Sequence, residues 1–463
     1  MEVMLSFLRG SFLVFIAYTC IYMAHWLLGM ILAVNRLSHF EENQEQAGRL
    51  LGDGQALRLP VSVIIPAHNE EDCICQTVEA LLQEDYPGLE ILVVNDGSTD
   101  HTESRLLSRF PLEQTEVSEE PQALPTRHVL RRYVCQVGDK RLTLVTKKNG
   151  GKGDALNCGF NLSCGIRCVV VDADTRIRPG AIRIMAARFF TDPRTIVCAG
   201  AVGGGQRLRH AAFRRLLVRF QKIEYYRTFY VHRILYDRLN ANVIVSGAFA
   251  MFDRELVIQV GGYRTDTIGE DMELTMRLHA FCLSQKRDYR IAYVPEAQCD
   301  TQVPFYYRDY CRQRRRWHIG LTQSLSSHFY MIGKRYYGWV GTLAVLFTVV
   351  YELLAPVIEL VGGVIMVLAA MAGIYNVHSA LQITAAYLVL SLLTQLLLLA
   401  ALRTYRVEKI SVPEMLKLVL TASTEWLIFH PINMGVKLVS FFTYRKYGKT
   451  WSHVRRIREV SHL

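Results

Sequence analysis

Asp172 and Asp174 stand one residue apart, directly after the apolar run Cys168 to Val171. A turn closing a strand sets one carboxylate on each side, and two hard oxygen donors suit a divalent cation that bridges phosphate oxygens. Asp96 follows a second apolar run, Ile91 to Val94, and Pro66-Ala67-His68-Asn69-Glu70 closes a third that begins at Val61. Asn149-Gly150-Gly151-Lys152-Gly153 is glycine-rich, so its backbone can approach an anion, and Lys152 adds a cation. Further along, Glu270 and Asp271 open a helical pattern in which Leu274, Leu278 and Phe281 share a face. Gln313, Arg316 and Trp317 then offer an amide, a guanidinium for a pyrophosphate and an aromatic platform for a sugar ring.

Each group has a plainer reading when taken alone. Asp172 and Asp174 can belong to a solvated turn, Glu270 and Asp271 can complement a helix dipole, and the cluster Arg312, Arg314, Arg315 and Arg316 can anchor a lipid surface. Two other chemistries lose their support. No Gly-x-x-x-x-Gly-Lys-Ser/Thr loop is present and no Gly-x-Gly-x-x-Gly follows a strand, which argues against a Walker nucleotide hydrolase and a dinucleotide-dependent hydride transfer.

The elements that must position these residues alternate. Val61 to Ala67 reads as a strand, and Ile74, Val78, Leu81 and Leu82 as the apolar face of the helix after it. Ile91 to Val94 is a second strand, whose turn through Asp100 opens another helix, and Cys168 to Val171 is a third. Strands alternating with helices predict a parallel sheet with ligands at the carboxyl ends of its strands, where Asp96 and Asp172 fall. Pro111 to Lys140, polar and containing Pro121 and Pro125, reads as a surface insertion.

The rest of the chain is apolar. Of its 463 residues 51% are hydrophobic and 21% charged, too apolar for a disordered tail. Ser11 to Val34 carries no Asp, Glu, Lys or Arg. At ~1.5 Å per residue its roughly 24 residues cross a ~30 Å hydrocarbon core, and it reads as a retained anchor rather than a signal peptide. Trp339 to Tyr375 and Ala380 to Leu402 are further apolar stretches; Pro356 and Gly362-Gly363 mark a break in the first of them, and Glu352 and Glu359 inside it are expected to line a polar path. With Met415 to Phe442, interrupted by Glu425, His430 and Pro431, the expectation is four to six spans. Trp317, Leu321 and Leu325 suggest a helix lying on the membrane surface. Eleven scattered cysteines do not form a disulfide framework or a zinc site, and the net charge of +11 is explained by Lys and Arg flanking the spans, with no nucleic acid required.

Taken together, Asp96, Asp172-x-Asp174, Gly269-Glu270-Asp271 and Gln313-x-x-Arg316-Trp317, in this order and between membrane spans, resemble the D, DxD, TED, QxxRW signature of the processive family 2 glycosyltransferases. That family includes bacterial cellulose, hyaluronan and poly-N-acetylglucosamine synthases. The resemblance runs from about Leu59 to Leu325, and Ser246-Gly247-Ala248-Phe249, Gly261-Gly262-Tyr263 and Gly150-Gly151-Lys152 bring it nearer the poly-N-acetylglucosamine branch. Asn95 stands where many members have an Asp, and Gly269 where they have Thr.

The resemblance implies an α/β nucleotide-sugar-binding, GT-A-like domain inserted between transmembrane α-helices. Residues 1–36 would be an anchor, 37–317 the cytosolic catalytic domain, 318–337 an interfacial helix, 338–444 a membrane bundle and 445–463 a basic cytosolic tail. Pro66, Ala67, Asn69, Glu70, Asp96, Lys152 and Asp172 would hold a UDP-sugar. Asp172 and Asp174 would hold Mg²⁺ or Mn²⁺, and Asp271 would be the general base. Ser246, Gly247, Glu270, Gln313, Arg316 and Trp317 would bind the pyrophosphate and the acceptor sugar. The implied activity is inverting, processive transfer from UDP-GlcNAc, or next UDP-glucose, to a β-linked polysaccharide exported across the cell membrane, with an accessory membrane or export subunit as a further partner. A single transfer to a lipid acceptor and a catalytically idle membrane scaffold are the alternatives.

Overall fold

A computed structural model describes residues 2–52, 59–117, 122–204 and 212–447. The β-branched runs become the centre of one sheet: β1 (Val61–Ala67), β2 (Glu90–Asp96) and β6 (Arg167–Val171). All three are parallel, with Ala67 opposite Asn95 and Ile64 opposite Val170, so Ala67, Asp96 and Val171 emerge along one edge. Their near-complete burial follows from helices on both faces, which is why the strands read as apolar runs rather than alternating ones. Those helices include α3 (Ile74–Leu82), α4 (Thr102–Arg109), α5 (Lys152–Leu162) and α6 (Ala181–Thr191).

The stretch expected as a surface insertion instead widens the sheet. β3 (Glu113–Thr115) and β4 (Val129–Val137) form antiparallel ladders that end on β5 (Lys140–Lys147), and β5 runs parallel to β2. On the other side come β9 (Phe249–Asp253), β8 (Thr195–Gly204), β10 (Arg290–Thr301) and β7 (Thr175–Ile177), giving the order β3-β4-β5-β2-β1-β6-β9-β8-β10-β7.

Helices α1 (Glu2–Ser38) and α2 (Phe40–Gly52) precede the sheet; α7 (Ala212–Arg227), α8 (Arg233–Arg238) and α9 (Arg254–Gln259) flank β9. After them come α10 (Glu270–Ser284), α11 (Tyr307–Ser327), α12 (Leu346–Thr348), α13 (Ala355–Met371), α14 (Val377–Thr404) and α15 (Val412–Tyr447). Among the described residues, Ser6–Ser38 and Ala380–Thr404 are long and apolar enough to cross a membrane. Val340–Leu353 and Ala355–Met371 make a third span if counted together, bent by 58° where Pro356 opens α13. Two or three such spans are fewer than the four to six expected. The shortfall comes from that bent pair, which makes at most one span where two were possible, and from α15, which has the length but carries Glu425, His430, Pro431 and Lys437 in its middle. Two of these find partners: Glu425 pairs with Arg227 of α7, and the ring of His430 lies 2.7 Å from Glu359. The basic tail lies, from residue 448 on, outside the described residues.

The expected boundary after Trp317 falls inside one continuous helix, α11. Leu321 and Leu325 do not lie on a membrane surface but pack with Met272 and Met276 of α10 in a buried cluster. The sheet and the membrane half are also tied at Arg36 of α1, which meets Glu296 of β10 through two hydrogen bonds of 2.5 and 2.9 Å.

Candidate active site

The parallel edge gathers three loops. After β1, Asn69 takes a left-handed conformation (φ 58°), tolerable for Asn, and its backbone N–H donates to Ser98 Oγ (3.0 Å). Asn69 Oδ1 accepts from the Thr99 N–H (2.8 Å), and the Glu70 N–H donates to Thr102 Oγ1 (2.9 Å). The Pro66 to Glu70 turn is thus laced to the loop after β2, forming one rigid lip.

Asp96 points inward rather than toward that lip. It is 3% exposed; Lys147 Nζ (2.5 Å) and the N–H groups of Gly150 (3.0 Å) and Gly151 (2.7 Å) all donate to its carboxylate. Lys147, fully buried on β5, also pairs with Asp154 at 2.5 Å. The glycine-rich amides are therefore spent on Asp96, which shapes the loop where the chain turns into α5. Gly151 sits at φ 88°, a conformation that disfavours any side chain, and this directs Lys152 back over the strand ends. Lys147 was not among the expected site residues; its signal was a Lys within the strand that begins with the alternating run Leu142 to Val145, just ahead of Lys148 and the glycine-rich turn.

Lys152 is the hub. Its Nζ lies 2.5 Å from Asp172 Oδ1 and 4.0 Å from Glu270 Oε1. Burial works against its charge, but Asp172 and Glu270 outweigh that and raise its pKa, so the ammonium persists. Glu270 is 6% exposed. Burial raises its pKa, Lys152 opposes this, and the neighbouring Asp271 adds to it; the result is about 7. Asp271, half-buried in the first turn of α10, accepts from the Gly247 N–H at 3.3 Å through Oδ2 and from the Met272 N–H at 2.8 Å through Oδ1. A Cβ on Gly247 would lie 3.2 Å from Lys152 Nζ and 3.6 Å from Asp271 Cβ, so Gly247 forms the floor between cation and carboxylate. Ser246 Oγ accepts from the Ala248 N–H (3.3 Å), closing that turn.

Asp172 is half-exposed and Asp174 is 6% exposed, on either side of a turn fixed by Thr175 N–H to Asp172 O (2.9 Å) and Thr77 Oγ1 to Ala173 O (2.7 Å). Among the described residues no cluster of three or more His, Cys, Asp or Glu side chains gathers for a metal. A two-carboxylate, all-oxygen set still fits Mg²⁺ or Mn²⁺, because such ions commonly take one or two carboxylates and complete their shell with phosphate oxygens and water. Glu270 and Asp271 close by add to the negative potential that would draw a cation.

Helix α11 forms the remaining wall. Gln313 is 8% exposed and its buried Oε1 has no hydrogen-bond partner among the described residues. Arg316 is close enough to Glu270 to favour its ionised form. Trp317 is 41% exposed, and the Arg314 guanidinium sits 4.5 Å from its ring centre. Arg314 is not a lipid anchor. It is 4% exposed, stacks 4.8 Å from the Tyr310 ring and donates to Glu224 of α7 at 2.5 Å, bracing Trp317 from behind.

Residues 59–320 match the family described as Glycosyltransferase like family 2. The poly-beta-1,6-N-acetyl-D-glucosamine synthase of Staphylococcus aureus (strain MSSA476) is 28% identical over 270 residues, covering 58% of this chain and 56% of its own length. The protein of the same name from Staphylococcus epidermidis matches with the same identity and coverage. The chain thus matches just over half the length of these relatives. A mannosyltransferase from Pyrobaculum calidifontis, solved in complex with GDP-Man and Mn²⁺, shares the fold with a TM-score of 0.52 at 22% identity, over 90% of this chain and 99% of that one. With more than half of its residues in the family match and a GT-A-like α/β domain flanked by membrane-spanning helices, the chain belongs to glycosyltransferase family 2 and is related to the bacterial polysaccharide synthases.

Proposed function

We propose that this protein transfers a sugar, with inversion, from a UDP-sugar to a growing β-linked polysaccharide that leaves through the membrane bundle, with UDP-GlcNAc as donor before UDP-glucose. The observation that carries the reading is Lys152, whose ammonium bridges Asp172 and Glu270 beside Asp271, so that phosphate-side and acceptor-side groups share one hub. The poly-N-acetylglucosamine synthases among its relatives favour UDP-GlcNAc.

In this reading the rigid lip from Pro66 to Glu70 holds the uridine, and Asp96 acts behind it by shaping the loop that carries Lys152. Asp172 and Asp174 would hold Mg²⁺ or Mn²⁺ on the diphosphate, where the ion supplies positive charge to the departing oxygens. Lys152 and Arg316 add protein charge to the same oxygens, and Gln313 donates to them. Ser246 and Gly247 shape the floor on which the acceptor rests. Trp317 stacks on the acceptor sugar and fixes its hydroxyl toward Asp271. Asp271 takes the hydroxyl proton as the new C1–O bond forms on one face and the bond from C1 to the UDP oxygen breaks on the other. UDP leaves with the electron pair, and no covalent enzyme intermediate is required.

Because UDP-sugars are made in the cytosol, the α/β domain faces the cytosol and the protein is a multi-pass protein of the cell membrane. Support for a route through the bundle comes from its clustered aromatic rings: Tyr18 stacks on Tyr351 (4.5 Å), Phe347 stacks on Tyr351 (4.4 Å), and the Trp426 and His430 rings lie tilted 4.2 Å apart, beside the Glu359–His430 and Arg227–Glu425 pairs. Glu352 lies within electrostatic reach of Lys437 and Arg233. An accessory export subunit would complete the exit.

A second reading, one transfer to a lipid acceptor, is favoured by the small number of apolar spans. The test is purified protein in lipid nanodiscs with Mn²⁺ and, separately, UDP-GlcNAc, UDP-glucose and GDP-mannose. Product is then sized and digested with linkage-specific hydrolases. A hydrolase-sensitive polymer from UDP-GlcNAc supports the reading; a lipid carrying one sugar supports the alternative, and no nucleotide release from any donor marks an idle scaffold.

A further inference from the structure

The turn that carries Asp172 and Asp174 leads at once into β7, the outermost strand, which has only three residues and three ladder pairs to β10. So short an edge strand is weakly held by its ladder. Thr175 and Ile177 pack it into the core, but among the described residues a cavity of 370 Å³ also lies against it, lined by Gln76, Thr77, Asp174, Arg176, Arg178 and Asp300 among others. What fixes the far end of β7 is Arg178. Its Nε and Nη2 donate to the two carboxylate oxygens of Asp300 (2.8 and 2.9 Å), its Nη1 to Gln298 Oε1 (2.8 Å) and its Nη2 to both oxygens of Glu408 (3.1 and 3.2 Å).

Glu408 does not belong to the α/β domain. It lies in the loop joining α14, a membrane-spanning helix, to α15. That loop is itself locked down: the Tyr230 hydroxyl donates to Glu408 Oε1 (3.0 Å), and Gln298 Nε2 donates to Tyr230 Oη (2.7 Å) and to Val407 O (3.2 Å). The Glu408 side chain is 10% exposed, so the link to Arg178 is shielded from screening. We propose that Glu408 is a positioning residue for the Asp172/Asp174 pair, acting through Arg178, so that the membrane bundle sets how well the site holds its cation. The inference rests on the metal-dependent reading above.

The experiment uses the full chain in nanodiscs with UDP and no sugar donor, titrated with Mn²⁺ while free Mn²⁺ is followed by electron paramagnetic resonance. Outer-shell partners bonded directly to metal ligands are worth about 10–100-fold in affinity; Glu408 acts one step further out, through Arg178, so Glu408→Ala is expected to weaken Mn²⁺ binding by up to about tenfold. Turnover under full assay conditions should recover when Mn²⁺ is raised to saturation. Arg178→Ala should weaken binding at least as much, and adding Glu408→Ala to it should change nothing further, the signature of residues acting in series. If Glu408→Ala cannot be recovered folded, Glu408→Gln, which keeps the shape and the Tyr230 contact, should shift binding in the same direction by less. Wild-type affinity in a folded Glu408 variant, or independent and additive effects of the two substitutions, overturns the positioning role. A wild-type protein that binds no Mn²⁺ overturns the metal assignment itself and the positioning role with it.

Discussion

Gly269 and Gly320 meet backbone to backbone: a Cβ on Gly269 would lie 2.5 Å from the Gly320 carbonyl oxygen, and one on Gly320 would lie 2.9 Å from Gly269 Cα. The contact brings the start of α10, with Glu270 and Asp271, against α11, with Gln313, Arg316 and Trp317. Gln323 and Ser324 secure it, since Gln323 Oε1 accepts from the Ile268 N–H (2.9 Å) and Ser324 Oγ donates to Gly269 O (3.0 Å). A Thr at position 269 would not fit, which accounts for the Gly standing there.

Gly320→Ala is therefore expected to push α10 and α11 apart. Overpacking of this kind costs about 1–3 kcal/mol. Transfer should fall well before UDP binding does, because the donor lip on β1 and β2 is untouched. Calorimetric UDP affinity measured beside polymer yield checks this, and equal losses in both would refute it.

Asp174→Asn should abolish transfer while the protein still reaches the membrane, and a chelator should silence the wild type reversibly. Full activity in excess EDTA would sink the metal assignment. A role for Asp174 confined to its turn predicts instead loss of folded protein, seen as loss from the membrane fraction.

General-base removal costs roughly 10²–10⁴ in rate, so Asp271→Asn should lower turnover at least about a hundredfold with UDP binding near normal. Glu270→Gln should cost less. Equal effects at both positions would return both residues to helix capping, which acts on stability and is worth only ~1 kcal/mol.

Glu270 also makes stability depend on pH. Its folded pKa is raised from 4.5 to about 7 by burial, against the pull of Lys152 and with the push of Asp271, so the folded state binds the proton more tightly than the unfolded one. The stabilisation from that proton is complete below about pH 4.5 and is lost as pH rises through about 7. Glu270→Gln imitates the protonated form, so its melting temperature should gain on the wild type between those limits and then level off. A difference that stays flat across pH 4.5–8 would contradict the raised pKa.

Trp317→Ala should destroy polymer synthesis yet spare slow hydrolysis of the UDP-sugar, because it leaves Lys152 and the Asp172/Asp174 turn in place. Product of normal length from Trp317→Ala would remove the acceptor role and favour the single-transfer reading.

Much of the site was legible before the fold was known, because β1, β2 and β6 are short β-branched runs and each ends in polar residues. Parallel pairing then forces those ends together. β4 was missed because Arg131 and Arg132 interrupt its apolar pattern, and a strand next to the edge of the sheet tolerates charges there. The inward orientation of Asp96 was invisible for another reason. A carboxylate at a strand end looks the same in sequence whether it faces a ligand or a buried Lys, and Lys147 lies 51 residues further along the chain. Arg178 and Glu408, 230 residues apart, illustrate the same limit.

Continuous α11 has a consequence for the order in which the protein is made. Tyr310 on α11 and Leu217 and Phe220 on α7 are covered by Phe429, and the His318 ring meets Ser440 Oγ at 2.5 Å, both partners on α15. During synthesis these apolar and imidazole faces emerge early and wait for the last helix. At ~5–20 residues per second, the stretch from the end of α11 to the end of α15 takes roughly 6–24 s to make. The wall bearing Gln313, Arg316 and Trp317 is completed only then, so a nascent chain stalled before α15 should bind nucleotide and transfer nothing.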